Sequence, residues 1–149
     1  MTETPAPAVV RTRADEPYPP LPAGWGAVEV TFDFTSEVVV ESGGVPVEER
    51  PNHETWVDPP VLTVDDQERQ AGWLVWLYPL PAGPHRLGFR SPAAAERTVE
   101  VAAGQVSRIS YRAEVVFRKD QAEAASPGGP ILGVTATGKL RTLKTRSLQ

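Results

Sequence analysis

The stretch WLVWLYPLPAGPHRLGF, residues 73–89, decides how this chain must fold. Residues 73–78 form its longest unbroken apolar run and hold two of its four tryptophans. An aromatic, β-branched run of that length reads as a strand covered on both faces. Residues 79–84, PLPAGP, stop it, because proline fixes φ and withholds its N–H. His85, Leu87 and Phe89 then alternate with Arg86, Gly88 and Arg90, which describes a half-buried second strand with a cationic outer face. The pair predicts a two-stranded hairpin with an apolar interior. A lone hairpin is marginal in water, so other strands must cover it.

Those strands are visible on both sides. Upstream, Val28, Val30, Phe32 and Phe34 alternate with Glu29, Thr31 and Asp33, a strand with one wet face. A second strand over residues 37–41 ends at Ser42, Gly43 and Gly44, where glycine supplies positive φ. Val45 and Val47 continue the pairing beyond that turn, with Pro46 marking an edge. Downstream, residues 98–101 form a short strand that reverses at residues 102–105. Ile109, Tyr111, Ala113, Val115 and Phe117 then alternate with Arg108, Ser110, Arg112, Glu114 and Arg118, predicting one long strand. The expected fold is all-β: a single antiparallel β-sandwich of about seven strands over residues 23–118.

The ends read differently. Residues 1–22 carry six of the sixteen prolines and few bulky apolar side chains, so they are expected to be a disordered or extended arm. Pro17, Tyr18, Pro19, Pro20 and Pro22 are a stiff leader or a ligand for an aromatic groove. Residues 119–149 are expected to be a flexible tail. It includes one helical turn at 120–125, a break at 126–130 and a basic end with Lys139, Arg141, Lys144 and Arg146. The sequence LPAG at residues 21–24 recurs at residues 80–83, each copy ahead of an alternating strand.

From Tyr78 to about Val115 the chain resembles the PEGA domain and the wider group of carboxypeptidase-regulatory-like or transthyretin-like small β-sandwiches. Leu80, Pro81, Gly83, His85, Leu87, Phe89, Val99, Val101, Ala103, Gly104 and Val106 follow that group's turn-and-strand order. Two features depart from it: a long acidic insertion in the first half, and residues 91–95 in place of a glycine-tyrosine element. The resemblance implies an antiparallel sandwich and a non-catalytic binding or spacer role, and it transfers no catalytic residue.

Residues 48–69 form that insertion, a long loop with seven acids against two arginines and a short strand near Val61, Leu62 and Val64. Long ordered loops on small scaffolds are where binding usually resides. Trp56 lies there in polar surroundings, either exposed for stacking and docking or buried. With it go His53, Asp58, Asp65 and Asp66, and Arg86 and Arg90 from the following strand, as candidate binding residues. The acids lack the DxDxDG spacing of a calcium loop, so a solvated face is the simpler reading and a cation stays open.

Catalysis lacks raw material. The chain has no cysteine and only His53 and His85, so thiolate nucleophiles and thiolate metal sites are excluded and no zinc spacing exists. His85 shares a row with Leu87 and Phe89 and is expected to be a structural histidine rather than a base. No cofactor is expected. The net charge of −4 disfavours a nucleic-acid partner, and no apolar run approaches a membrane helix or a secretory signal, so a soluble cytoplasmic protein is expected. Residues 73–78 are apolar on both faces, so one face is covered by the long loop or by a second copy of the chain. The expected function is a non-enzymatic module for protein–protein contact, itself included. The alternative is carbohydrate recognition through Trp56 and the acidic loop, and a third reading, hydrolytic activity, requires the fold to bring a histidine and a carboxylate together in a pocket.

Overall fold

The computed structural model describes residues 9–11, 17–53, 55–121 and 131–147. Its strands are β1 (Val9–Arg11), β2 (Trp25–Ser42), β3 (Val45–Pro51), β4 (Val61–Val64), β5 (Gln67–Arg69), β6 (Leu74–Pro81), β7 (Gly83–Ser91), β8 (Ala95–Val101), β9 (Gln105–Asp120) and β10 (Gly133–Ser147), with no helix among the described residues. They form the expected β-sandwich. The larger sheet runs β1-β6-β2-β9-β10, with β3 also on β2, and the smaller runs β5-β4-β7-β8. There are more strands than the seven expected, and the β2–β9 pair is parallel, in register from Ala27 opposite Val106 to Glu41 opposite Asp120.

The tryptophan stretch is a corner, not a hairpin. β6 pairs with β1 and β2, whereas β7 pairs with β4 and β8, so the chain changes sheet between Pro81 and Gly83. Pro79, Pro81 and Pro84 withhold three donors that an in-plane hairpin needs near its turn. Gly83, at φ 131°, accepts a backbone angle that L side chains rarely adopt. The two LPAG copies sit together at this corner: the Ala82 N–H donates to the Gly24 carbonyl at 3.1 Å, and Trp25 pairs with Pro81.

The strands expected over residues 28–34 and 37–41 are one strand, β2, of 18 residues. Ser36 interrupts the inward row Val28, Val30, Phe32, Phe34, Val38 and Val40, but its polar groups are met. Its hydroxyl accepts from the Asn52 side chain at 2.9 Å, and its carbonyl accepts from the Asn52 N–H at 3.0 Å. The outer row is charged and paired across strands. Arg108 meets Glu29 at 3.1 Å, Arg112 meets Asp33 at 3.0 Å and Lys139 meets Glu114 at 3.0 Å.

The core lies between the sheets, where Phe32, Phe89 and Tyr111 cluster with Leu62, Leu87, Tyr78 and Ile109. The second face of β6 is covered around Leu77 by the chain's own N-terminal arm and not by the acidic loop. Leu77 is fully buried there with Ala27 and Val106 under Tyr18 and Leu21, from the proline-rich arm that was expected to be a free leader. That arm also contributes β1, which extends the sheet beside β6. Residues 1–8 and 12–16 lie outside the described residues.

The tail expected to be flexible contains β10, 15 residues paired antiparallel with β9. Its inward row, Val134, Ala136, Gly138, Leu140 and Thr142, is too small and mixed to signal burial, yet Ala136 and Leu140 pack on the core. β9 runs on to Asp120, so a helical turn does not start there. Residues 122–130, which hold the rest of that expectation, lie outside the described residues, as does Glu54.

Candidate functional site

The long acidic loop proves short. β3 consumes its start and β4 and β5 its end, leaving residues 52, 53 and 55–60 irregular among the described residues. Asn52 organises it: besides gripping Ser36, its side chain donates to the Thr55 carbonyl at 2.8 Å and accepts from the Thr55 N–H at 2.9 Å. An asparagine side chain that imitates backbone in this way fixes a turn. Thr55, Trp56, Val57 and Asp58 then alternate. Val57 is buried against the core, which throws Trp56 outward to 78% exposure with Asp58 beside it.

Trp56 overhangs a groove of about 290 Å³. β9 and β10 run past the end of the smaller sheet, and their inward residues Val115, Phe117, Val134 and Ala136 form the groove floor. Trp56, Val57 and Asp58 form one wall, and Ser91 and Pro92 close an end. Ile131, Leu132 and Val134 continue the apolar surface at the start of β10, exposed at 39%, 54% and 55%. The arrangement sets one large indole beside apolar carbon from Val115, Phe117, Val134 and Ala136. A second apolar spot lies elsewhere on the molecule, where Phe34 and Trp73 meet at 4.5 Å beside exposed Leu74.

The remaining expected residues do not converge on Trp56. Asp65 and Asp66 make the two-residue turn between β4 and β5, both at positive φ, 51° and 67°. That is the backbone of a tight hairpin, and aspartate tolerates it better than most residues. They lie at the opposite end of β4 from Trp56, since Val64 registers with Leu87 and Val61 with Ser91 at the groove. Their carboxylates are committed internally. Asp65 accepts from the Arg86 N–H at 2.9 Å and meets the His85 ring at 2.6 Å, while Asp66 holds the Arg86 guanidinium. Burial pushes the Asp65 carboxyl up, but the Arg86 N–H, the His85 bond and the neighbouring cations outweigh it and hold it below the usual value. Arg86 also reaches Glu96 at 3.6 Å, and bonding to Asp66 raises its affinity for its proton. Arg90 stands exposed at a shallow depression around Gly88 on the outer face of the smaller sheet. His53 is exposed in the 52–60 loop.

His85 is half-buried near the start of β7. Its second ring nitrogen meets the Pro81 carbonyl at 2.7 Å, so both nitrogens are engaged across the sheet-changing corner. His85 and the Asp65 carboxylate bonded to it both line a small cavity with Trp25, Val64, Gln67, Arg69, Pro79 and Leu80, and no hydroxyl or thiol side chain lines it. Among the described residues no three acidic or histidine side chains gather in a metal-binding group, and no helix is long and apolar enough to cross a membrane.

The groove floor on β10 was missed from sequence because residues 119–149 read as a loose tail. The signal that could have found it is the apolar run Ile131, Leu132, Gly133 and Val134, followed by period-two spacing. Comparisons with family models, curated proteins and solved structures find no match for this chain.

Proposed function

We propose that this protein is a non-enzymatic β-sandwich module that works by contact with a protein partner, docked at the Trp56 groove. The observation that carries the reading is Trp56 itself, 78% exposed on a loop pinned by Asn52 and Val57, above the apolar floor of Val115, Phe117, Val134 and Ala136. A rigidly placed tryptophan in water gains free energy only when something covers it, and tryptophan is enriched among residues that dominate interfaces. Both His85 nitrogens and the Asp65 carboxylate are committed to internal bonds, and no hydroxyl or thiol lines the cavity they share, which supports a non-catalytic role. So does the likeness of residues 78–115 to PEGA-like modules.

Carbohydrate recognition is the second reading. It has Trp56 and Asp58 in its favour, but the acidic turn it also called on lies at the far end of β4. Affinity capture with the full chain, with Trp56→Ala and with Val134→Glu tests the contact reading. A protein retained by the native chain and lost from both variants is the expected result. A retained set indifferent to both substitutions, or tryptophan fluorescence that responds to soluble glycans and to no protein, contradicts it.

A further inference from the structure

We infer that the free edge of β10 accepts an extended, acidic segment of the partner as an additional strand. This rests on the contact reading above and adds how the partner is gripped. Among the described strands β10 pairs only with β9, so its other row of N–H and C=O groups faces outward. It is the longest such edge, 15 residues without proline. β1 and β5 have 3 residues each, β8 has 7, and β3 carries Pro46 and Pro51, which withhold donors.

Charge selects the occupant. β10 holds Lys139, Arg141, Lys144 and Arg146 and no acid, on a chain whose net charge is −4. Its first six residues are uncharged, and there Val134 and Ala136 open onto the Trp56 groove. An added strand therefore meets an apolar cleft at one end and a row of cations at the other. Main-chain hydrogen bonds supply affinity in strand addition, and alternate side chains supply selectivity. A second copy presenting its own β10 in parallel register sets Lys and Arg against Lys and Arg, and full antiparallel overlap still sets Lys139 against Arg141. Like charges across a strand pair destabilise it. The same cations favour glutamate or aspartate on the incoming strand. Lysines and the irregularity between Leu143 and Arg146 also blunt an edge against unwanted pairing, and this is the competing outcome.

The test uses the full chain and three labelled synthetic peptides: one alternating valine and glutamate, one alternating valine and lysine, and an acidic one interrupted by proline. Binding is followed by fluorescence anisotropy and amide hydrogen exchange. The expected result is binding of the acidic peptide alone, with exchange slowed in β10 and not in β3 or β8. The double variant Arg141→Glu, Lys144→Glu, whose native side chains make no ion pair among the described residues, binds at least about tenfold more weakly with an unchanged circular dichroism spectrum. Equal binding of the proline-interrupted peptide reduces the effect to charge attraction and overturns strand addition. Failure of the acidic peptide to bind, or to slow exchange in β10, overturns it too. A natural partner captured through Trp56 that leaves β10 exchange unchanged overturns strand addition alone and keeps the contact reading, so the two can fail separately.

Discussion

The ring of Phe89 stacks on that of Tyr111 with centroids 4.6 Å apart and planes 3° from parallel, joining β7 of the smaller sheet to β9 of the larger. Phe32 meets both edge-on at 6.0 and 6.1 Å. The Tyr111 hydroxyl donates to the Ala93 carbonyl at 2.7 Å and accepts from the Ala93 N–H at 3.1 Å, fastening the chain where it leaves β7. Phe89→Ala is expected to lower stability by about 3–5 kcal/mol through the cavity it leaves. Tyr111→Phe keeps the stack and strands two buried backbone groups, for a loss of about 1–3 kcal/mol. Urea unfolding of both variants checks the ranking.

Gly26 leaves no room for a side chain. A Cβ there meets the Ala102 carbonyl at 2.3 Å and the Gln105 carbonyl at 2.7 Å, so the β8–β9 reversal rests directly on β2. Those atoms are backbone and cannot swing aside. Gly26→Ala is expected to cost about 1–3 kcal/mol, read as a lowered thermal midpoint.

Acid destabilises through Asp65. Its carboxyl titrates below the ordinary value of 3.8 in the folded chain, so it contributes stability that is present above that value and is lost as pH falls through the folded value. Because 51% of the side chain is exposed, the effect is small. Asp65→Asn is expected to lower stability at neutral pH and to flatten its dependence below about pH 4. Unfolding midpoints across that range give the slope.

Alkali acts through tyrosine. Burial raises the Tyr78 hydroxyl far above its ordinary 10.0, with Arg69 opposing, and burial raises Tyr111 as well. The unfolded chain then releases protons that the folded chain keeps, so the stability these groups contribute is full below pH 10 and declines as pH rises beyond it. Tyr78→Phe is expected to shallow that decline while losing the bond to the Gln70 carbonyl at neutral pH. Midpoints on either side of pH 10 test the sign.

Alternation was readable wherever burial was complete on one face: β9 and both halves of β2 stand where the spacing put them, as do the glycine turn before β3 and the short strand β4. Periodicity does not say which sheet a strand joins, and residues 73–89 show why. The same pattern serves a hairpin or a corner, and only the three prolines and Gly83 favour the corner. Ser36 broke the reading of β2 because its partner, Asn52, is remote in sequence. β10 was illegible because an edge strand half in water needs no large residues, so Gly138 and Ala136 fill a row that leucine fills elsewhere. At the candidate site, polar context marked Trp56 but left open whether its ring is exposed or buried, and it stretched the loop over residues 48–69, much of which is β3, β4 and β5. Asp65 and Asp66 stand away from Trp56 in a tight turn whose positive φ aspartate tolerates, a backbone reason for their presence that composition does not reveal.

The most direct measurement is site-specific photo-crosslinking in lysate, with a photoreactive phenylalanine at position 56 and, as control, at position 96 on the outer face of the smaller sheet. The contact account requires a discrete protein adduct from position 56, suppressed by Val134→Glu, and none from position 96. No adduct at position 56, or the same adducts from both positions, contradicts it.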